Sequence, residues 1–260
     1  MRTLIVVAVL ALVCSWGVAQ IGPRYVIELR SQGGGTVGMA QGRVQLAGKG
    51  MALIRFQGLR VLAVDADSEA YSGEAVRGWP AADVLLVLPA AAGHYEGLAP
   101  LRALRHGMPV IVAETPVEMQ AAQTAHAMQA AQAAQAARTP GAAGTAADGP
   151  QLYPMQVWNT LDLRKQNTRL RVTAMAGAPG TRGVAGFMLE MGNSRSSYRL
   201  YISGGQDEAV TLAQRLPGAD LALLPAREAP LLLVLNRGAP AAREPAALTT
   251  AGYAFTAIRR

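Results

Sequence analysis

Cysteine is nearly absent from this chain of 260 residues. The single one, Cys14, lies in an apolar amino-terminal stretch that we expect to be removed. A mature chain without a thiol forms no disulfide and offers neither a thiolate nucleophile nor a cysteine-bound metal. Histidine is almost as scarce, with three residues in all, so any zinc centre would have to be built from very few nitrogen ligands.

Lysine is scarce as well, since Lys49 and Lys165 are the only two. The net charge of +7 therefore comes from arginines, and these are scattered singly along the sequence. No stretch interleaves basic and aromatic residues, so we expect no nucleic-acid partner. Binding of anionic polymers by an arginine-rich surface is the alternative, and it would appear as salt-dependent association. The sequence assigns neither a partner nor an oligomeric state.

The amino terminus predicts a secretory signal peptide over residues 1–19. Arg2 precedes an apolar run at residues 4–13, and the sequence Gly17-Val18-Ala19 has the small residues of a cleavage site. The run is shorter than the roughly 20 residues of a transmembrane helix, although an uncleaved anchor is the alternative. We therefore expect cleavage after Ala19, export to a bacterial periplasm or to the medium, and no membrane contact beyond the signal peptide.

Aromatic residues make up only 5% of the chain, so the core has to be built from Leu, Val and Ala. The segments "GRVQLAG" and "MALIRFQGLRVLAVDA" predict three short strands joined by glycine turns. The runs "DVLLVLP" and "MPVIVAE" predict strands that are buried on both faces. Between them, "EGLAPLRALRHG" predicts a helix, because Leu98, Leu101 and Leu104 have helical spacing and Gly107 is placed to cap its end.

The second half of the chain repeats the pattern of strands, a glycine-rich turn, a helix and a strand. The segment "LYPMQVWNTLDLRKQNTRLRVTAMAG" predicts a hairpin, and "GVAGFMLEMG" with "SYRLYISGG" predicts a further strand pair. A helix in "DEAVTLAQRLPG" and a buried strand at Leu221–Leu224 follow. We expect an amino-terminal strand and glycine-rich linker over residues 20–40, and one domain over residues 41–260 with a low-complexity Ala/Gln-rich insertion at about residues 117–150.

Several of these segments, taken together, resemble the metallo-β-lactamase fold family of hydrolases. They are "ADVLLVLPAAAGHYEGLAPLRAL", "WNTLDLRKQNTRLRVTAMAG", "RLYISGGQDE" and "DLALLPA". The resemblance implies an α/β fold, a four-layer αββα sandwich with helices outside two sheets. It also implies zinc-dependent hydrolysis of an ester, a lactone or a phosphoester.

The zinc ligands of that family are mostly missing from this chain. The family's His-x-His-x-Asp-His motif falls on Pro89, Ala91, Gly93 and His94. Only His94 keeps a ligand. The position of the bridging aspartate holds a glycine, and Asp207 comes two residues late. Two zinc ions cannot be held by such a set, and a single zinc wants about three protein ligands.

Asp65 is a further position that agrees with the family, in which an aspartate at this strand end supports a metal ligand through a hydrogen bond. Without ligands to orient, we expect Asp65 to be structural and to accept N–H bonds from the turn that follows. His94, Asp65 and Asp207 are therefore the weak candidates for a site, with Glu96 and Ser203 as further contributors.

The sequence favours an exported protein of metallo-β-lactamase-like fold that has lost zinc-dependent hydrolysis and holds no cofactor. Its role would then be binding or scaffolding. The alternative is a residual hydrolase that acts on an ester, a lactone or a phosphoester through an atypical site around His94.

Overall fold

Two β-sheets account for most of the structure. The computed structural model describes residues 25–29, 41–89, 97–105, 107–113, 150–177, 183–193, 196–205, 207, 209–216, 218–235 and 244–259. The strands in these residues are β1 (Tyr25–Glu28), β2 (Gln41–Gly48), β3 (Met51–Phe56), β4 (Leu59–Asp65), β5 (Val84–Leu88), β6 (Pro109–Ala113), β7 (Gln151–Met155), β8 (Thr160–Lys165), β9 (Thr168–Ala176), β10 (Val184–Gly192), β11 (Ser196–Ser203), β12 (Leu221–Leu224), β13 (Leu231–Val234), β14 (Ala246–Ala247), β15 (Tyr253–Thr256) and β16 (Ile258–Arg259). One α-helix, α1 (Ala209–Arg215), is described between β11 and β12.

The seven-stranded sheet has the strand order β15-β2-β3-β4-β5-β6-β7. Strands β2, β3 and β4 form an antiparallel meander, whereas β4 to β7 run parallel to one another. The β3–β4 turn consists of Gln57 and Gly58, which both have positive φ, at 46° and 80°. A two-residue turn of this kind matches the twist of the strands and fixes their register, so that Phe56 lies opposite Leu59.

The nine-stranded sheet has the strand order β1-β8-β9-β10-β11-β12-β13-β14, and β16 pairs with the start of β11. Its centre, from β8 to β11, is antiparallel, and β11 and β12 are parallel. The predicted hairpin over β8 and β9 and the predicted pair of β10 and β11 are both present. Strand β9 shows the expected period of two between buried and more exposed side chains, whereas β8, β10 and β11 also contain consecutive buried residues.

The two sheets pack face to face through a shared apolar core. Ala52, Ile54 and Phe56 of β3 point into it from the seven-stranded sheet, and Leu161 and Leu163 of β8 point into it from the other. These are alternate positions on their strands, as a half-buried strand requires. The expected core between two sheets is therefore present.

A smaller apolar cluster covers the outer face of each sheet. On the nine-stranded sheet, Leu212 of α1 packs with Tyr201, as does Leu216, the residue that follows the helix. On the seven-stranded sheet, Leu101 from a short 3₁₀ turn packs with Leu62 and Leu85. Burial in these clusters holds the connecting segments against the sheets.

The predicted four-layer αββα sandwich is wrong. The described residues form two sheets and contain α1 as their one α-helix, so the protein is β-rich there. The outer faces are covered by turns, 3₁₀ segments and this single helix rather than by helical layers.

The helix predicted over residues 96–107 is one of the reasons for that difference. In its described part the chain forms a single 3₁₀ turn at Pro100–Ala103 and is extended again at Leu104. Gly97 and Gly107 both have positive φ, at 62° and 69°, so they bound a stretch too short to sustain an isolated helix. Pro100 also lacks the N–H that a helix needs beyond its first turn. The leucine spacing was real, but only one turn of packing against the sheet resulted from it.

Several predictions fall outside the described residues. They concern the signal peptide over residues 1–19, residues 117–149 of the Ala/Gln-rich insertion, and the positions of His94 and Glu96. Within the part of the chain that is described, no helix is both long and apolar enough to cross a membrane.

Candidate functional site

Three of the candidate residues, Asp65, Ser203 and Asp207, lie at one end of the sandwich, which we call the carboxylate end. Strand β4 finishes there at Asp65, β11 finishes at Ser203, and Asp207 follows in the next turn. Asp65 and Ser203 line the same small cavity between the two sheets. The topology therefore brings these three residues to one edge, although they come from different halves of the chain.

The carboxylate of Asp207 is saturated by side-chain donors. The Tyr201 hydroxyl donates to Oδ2 at 2.9 Å, and the Ser203 hydroxyl donates to the same oxygen at 2.6 Å. The Arg215 guanidinium donates to Oδ1 at 2.6 Å and also to the carbonyl of Ala176 at 3.1 Å. The Asp207 side chain is only 8% exposed, so these donors take the place of water.

The tyrosine in this network stays protonated at all ordinary pH values. Burial raises the pKa of Tyr201 far above its usual range, and the neighbouring charge of Asp207 raises it further. A neutral phenol can donate a hydrogen bond to a carboxylate, whereas a negatively charged phenolate would repel the carboxylate. Tyr201 therefore acts as a fixed hydrogen-bond donor that holds the Asp207 side chain in place.

Ser203 has no sign of nucleophilic activation. Its hydroxyl hydrogen is directed at Asp207 or at the carbonyl of Gly205, and its oxygen accepts the N–H of Gly205 at 3.2 Å. The side chain is buried, with 1% of the residue exposed. A nucleophilic serine needs an open approach for a substrate, which its burial denies to Ser203, and the carboxylate that accepts its hydrogen bond is already engaged by Tyr201 and Arg215.

Asp65 differs from Asp207 because its carboxylate is only half satisfied. Oδ1 accepts the N–H of Asp67 at 3.0 Å, which is the turn hydrogen bond expected for this residue, while Oδ2 has no donor among the described residues. Burial raises the pKa of Asp65 above its usual range, although the Asp67 N–H lowers it in part. Such a shift marks a carboxyl group in a dry environment, and it does not by itself indicate catalysis.

The cavity that Asp65 and Ser203 share is too small for a substrate. Its volume is about 10 Å³, and its walls are mostly apolar, with Leu88, Ile202 and Leu223 among them. A single water needs at least this much space, whereas small-molecule sites occupy roughly 300–1,000 Å³. The described residues therefore leave no room for a substrate between the sheets beside Asp65 and Ser203.

Close backbone packing also fixes this end of the sandwich. Gly204 lies against Pro89, the residue after β5, so closely that a Cβ at position 204 would overlap the proline ring. The glycine of this turn is thus required by packing. This contact joins the turn after β11 to the point where the chain leaves β5, just before the segment that contains His94.

The donor set does not fit a zinc ion. Within the described residues, no three histidine, cysteine, aspartate or glutamate side chains lie close enough to share a metal. Asp207 is already occupied by Arg215 and two hydroxyls, and a cation would have to displace the guanidinium. His94 and Glu96 lie outside the described residues. Asp65 and Asp207 are thus brought to one end of the fold without forming a ligand set.

The opposite end of the sandwich, which we call the arginine end, carries a groove that the sequence analysis did not predict. An open groove of about 1030 Å³ lies there, with Arg43, Arg55 and Arg60 among its lining residues. In the strand register Arg43 lies directly opposite Arg55, and Arg55 lies directly opposite Arg60. We call these three residues the arginine row.

The arginine row lies on the outer face of the seven-stranded sheet. The side-chain alternation shows this, because the neighbours Val44, Ile54 and Val61 point into the inner core. The sequence contained a signal for part of the arginine row. A two-residue turn at "QG" in "RFQGLR" pairs the two flanking arginines, Arg55 and Arg60.

The arginine end is also where a buried ion pair joins the two sheets. Lys165 Nζ in β8 lies 2.8 Å from Asp83 Oδ2, and the two side chains are 8% and 13% exposed. The same ammonium donates to the carbonyl of Gly58 at 2.8 Å, and Asp83 Oδ2 accepts the N–H of Arg60 at 2.8 Å. Asp83 is therefore already engaged, and Asp220, which lines the groove, accepts the N–H of Arg199 through Oδ2 at 2.8 Å.

Comparisons with known proteins add little to these observations. No protein-family model matches the chain, and no curated protein matches it. Among solved structures, it is similar to the metallo-beta-lactamase fold protein YhfI from Bacillus subtilis, with 11% sequence identity over 70% of each chain and a TM-score of 0.38. A likeness of this size assigns neither a fold nor an activity, so the function has to be argued from this chain's own residues.

Proposed function

We propose that this chain is an exported binding or scaffolding protein that has no zinc-dependent hydrolase activity, a pseudoenzyme derived from a metallo-β-lactamase-like ancestor. The signal-peptide pattern supports export, and the sequence resemblance supports the ancestry.

The observation that carries the proposal is the saturated carboxylate of Asp207. A bridging or terminal metal ligand needs a free oxygen, whereas both oxygens of Asp207 accept bonds from Tyr201, Ser203 and Arg215. A guanidinium at 2.6 Å supplies the positive charge that a cation would otherwise supply. Arg215 thus meets the charge of Asp207 without a metal ion.

The small volume at the carboxylate end supports the same proposal. A hydrolase must admit its substrate to the reacting groups, and the cavity beside Asp65 and Ser203 holds about 10 Å³. The larger open space is the groove at the other end of the sandwich, where no candidate nucleophile or base was expected. Geometry thus separates the inherited candidate residues from the surface that can accept a ligand.

Metal analysis and hydrolase assays on the same preparations test the proposal. The full chain is purified from zinc-rich medium, and zinc per chain is measured by plasma mass spectrometry for wild type, His94→Ala and the matched control His126→Ala. We expect far less than one zinc per chain in all three. We also expect background hydrolysis of ester, lactone, lactam and phosphoester substrates. Stoichiometric zinc or hydrolysis that His94→Ala abolishes and His126→Ala retains would contradict the proposal and favour the residual hydrolase.

A further inference from the structure

The arginine row is an unusual arrangement because like charges lie opposite one another on three neighbouring strands. Arg43, Arg55 and Arg60 are consecutive in the register across β2, β3 and β4, and all three are exposed. Neighbouring strands are about 4.8 Å apart, so the three guanidinium-bearing positions span roughly 10 Å. Directly opposed like charges destabilise a sheet unless something neutralises them.

The described residues do not supply that neutralisation. Arg43 donates to the carbonyl of Ala251 at 2.7 Å, which positions its guanidinium without cancelling its charge. Among the described residues, neither Arg55 nor Arg60 has a carboxylate within ion-pair distance of its side chain. Asp83, beside Arg60, is engaged by Lys165 and by the Arg60 N–H.

The neighbouring stretches of sequence do not supply it either. Residues 30–40, which precede the groove residue Gln41, read "RSQGGGTVGMA". Residues 236–243, which follow the groove residue Leu235, read "NRGAPAAR". Neither stretch contains an acidic residue, and together they add three arginines. The described residues and these two stretches therefore give Arg55 and Arg60 no ion-pair partner, which leaves their guanidinium groups open to an anion.

We propose that the arginine row and its groove bind a soluble oligophosphate, an anion with several linked phosphate groups. Guanidinium groups donate two parallel N–H bonds to phosphate oxygens, so a row of three fits an anion with more than one phosphate. The open groove of about 1030 Å³ is large enough for such a ligand. This proposal concerns a different surface from the candidate hydrolase site and stands independently of the proposed function.

The surroundings of the row favour an oligophosphate over a single-stranded nucleic acid. Nucleic-acid grooves present aromatic rings on which bases stack. The strand next to Arg43 instead presents the small side chains of Ala254 and Thr256 on the same face. The groove also has four aromatic residues in its lining, Phe56, Tyr198, Tyr253 and Phe255, and all four belong to the inner core or pack against it. The face that carries the arginine row therefore favours phosphate recognition over base stacking.

Calorimetric titration of the full chain with sodium tripolyphosphate tests the proposal. The buffer has low salt and no divalent cation, and orthophosphate serves as the single-phosphate probe. We expect tripolyphosphate to bind and orthophosphate to bind at least about tenfold more weakly, because it can engage fewer of the guanidinium groups. We also expect the affinity for tripolyphosphate to fall as salt is added. Equal affinities for the two anions would overturn the proposal, as would a failure of tripolyphosphate to bind.

A matched pair of variants locates the binding site. Arg55→Gln removes the central charge of the row, whereas Arg102→Gln removes an exposed charge on the 3₁₀ turn at Pro100–Ala103. We expect Arg55→Gln to weaken tripolyphosphate binding about tenfold or more and Arg102→Gln to leave it unchanged. Equal losses in both variants would mean that only net charge matters and would overturn the proposal.

Two further measurements complete the test. A thermal midpoint of Arg55→Gln without ligand at or above that of wild type shows that the variant is folded, so that lost binding is not lost structure. Vesicles with anionic headgroups and single-stranded DNA are offered to wild type and Arg55→Gln in parallel. Retention of either one that depends on Arg55, with no binding of tripolyphosphate, would replace the soluble ligand by a membrane or a nucleic acid.

Discussion

The two ends of the sandwich solve opposite electrostatic problems. At the carboxylate end, the charge of Asp207 is buried and is met by Arg215 and two hydroxyl donors. At the arginine end, Arg55 and Arg60 are exposed and have no ion-pair partner among the described residues. A charged group whose hydrogen bonds are all made within the protein contributes to stability and offers no bond to a ligand. A charged group without a partner in the protein contributes little to stability but can bind a ligand. The comparison indicates that binding has to be sought at the end where charge is left over.

The volumes of the two ends support the same distinction. The cavity at the carboxylate end has about 10 Å³, and the groove at the arginine end has about 1030 Å³. Residues that resemble the remains of a catalytic site therefore lie where a substrate has no room. Residues that no motif marks lie where a ligand can enter. The resemblance to a catalytic family directed attention to the end that has the smaller described cavity.

Removal of the carboxylate at position 207 should give the largest effect. Asp207→Ala leaves the half-buried Arg215 guanidinium and the buried hydroxyls of Tyr201 and Ser203 without their carboxylate acceptor. The loss of one partner from such a network costs about 3–5 kcal/mol. Urea denaturation would measure this against Glu69→Ala, an exposed control that should change the unfolding free energy by less than about 0.5 kcal/mol. A loss below about 1 kcal/mol would show that the network is not structural.

The ion pair between the sheets should be the next most sensitive feature. Lys165→Met leaves Asp83 without its ammonium, although Asp83 keeps the Arg60 N–H. We expect a loss of about 2–3 kcal/mol. Lys49→Met is a matched control, because Lys49 and its partner Glu228 are 60% and 80% exposed at 3.6 Å. The control should lose less than about 1 kcal/mol, as surface pairs do. Equal losses in the two variants would contradict the role of Lys165 as a link between the sheets.

Local pattern was enough to predict most of the strands. The alternation of Leu161, Leu163, Leu170 and Val172 places β8 and β9, and the turn at Gln57-Gly58 places β3 and β4. Strand position depends on periodicity and turn chemistry, and both are local properties. The prediction of a helix over residues 96–107 was wrong for the described part. The stretch is short and contains Pro100, so the leucine spacing produced only a 3₁₀ turn.

The charged contacts at the two ends of the sandwich could not be predicted from individual residues of the sequence. Lys165 and Asp83 are 82 residues apart in the chain, and only the packing of one sheet on the other brings them together. Likewise, the saturation of Asp207 depends on Arg215, which the short helix α1 carries back over the sheet. To predict the arginine row, one would need the register of β2 against β3 as well as that of the β3–β4 hairpin. Pairings of this kind are properties of the fold rather than of any motif.

The half-satisfied carboxylate of Asp65 should give a smaller effect that depends on pH. Its pKa in the folded protein is raised, chiefly by burial, so the folded state binds the proton more readily than the unfolded state. Its contribution therefore favours folding at acid pH and is lost as the pH rises through the raised pKa. Asp65→Asn keeps an acceptor for the Asp67 N–H and removes this titration. At neutral pH we expect the variant to gain less than about 1 kcal/mol, since solvent screens a half-buried carboxylate.

Chemical denaturation of wild type and Asp65→Asn across the acid range checks this prediction. The difference in unfolding free energy between the two proteins should change as the pH crosses the range of the raised pKa, and it should be constant above that range. A difference that does not change with pH would mean that the carboxyl group does not titrate differently in the folded protein.

The smallest expected effect is the most informative one about the arginine end. In the absence of a bound anion, Arg55 lies between Arg43 and Arg60, so Arg55→Gln should relieve repulsion and stabilise the protein by about 0.2–1 kcal/mol at low salt. The gain should vanish at about 1 M salt, where the screening length falls to about 3 Å. Tripolyphosphate should reverse the order of stabilities, because only wild type has the complete row to bind it.

Thermal midpoints of both proteins at low salt, at high salt and with tripolyphosphate provide the check, with Arg102→Gln as the control. A destabilised Arg55→Gln at low salt would mean that the row is held together by contacts within the protein, and the contrast between the two ends would then fail.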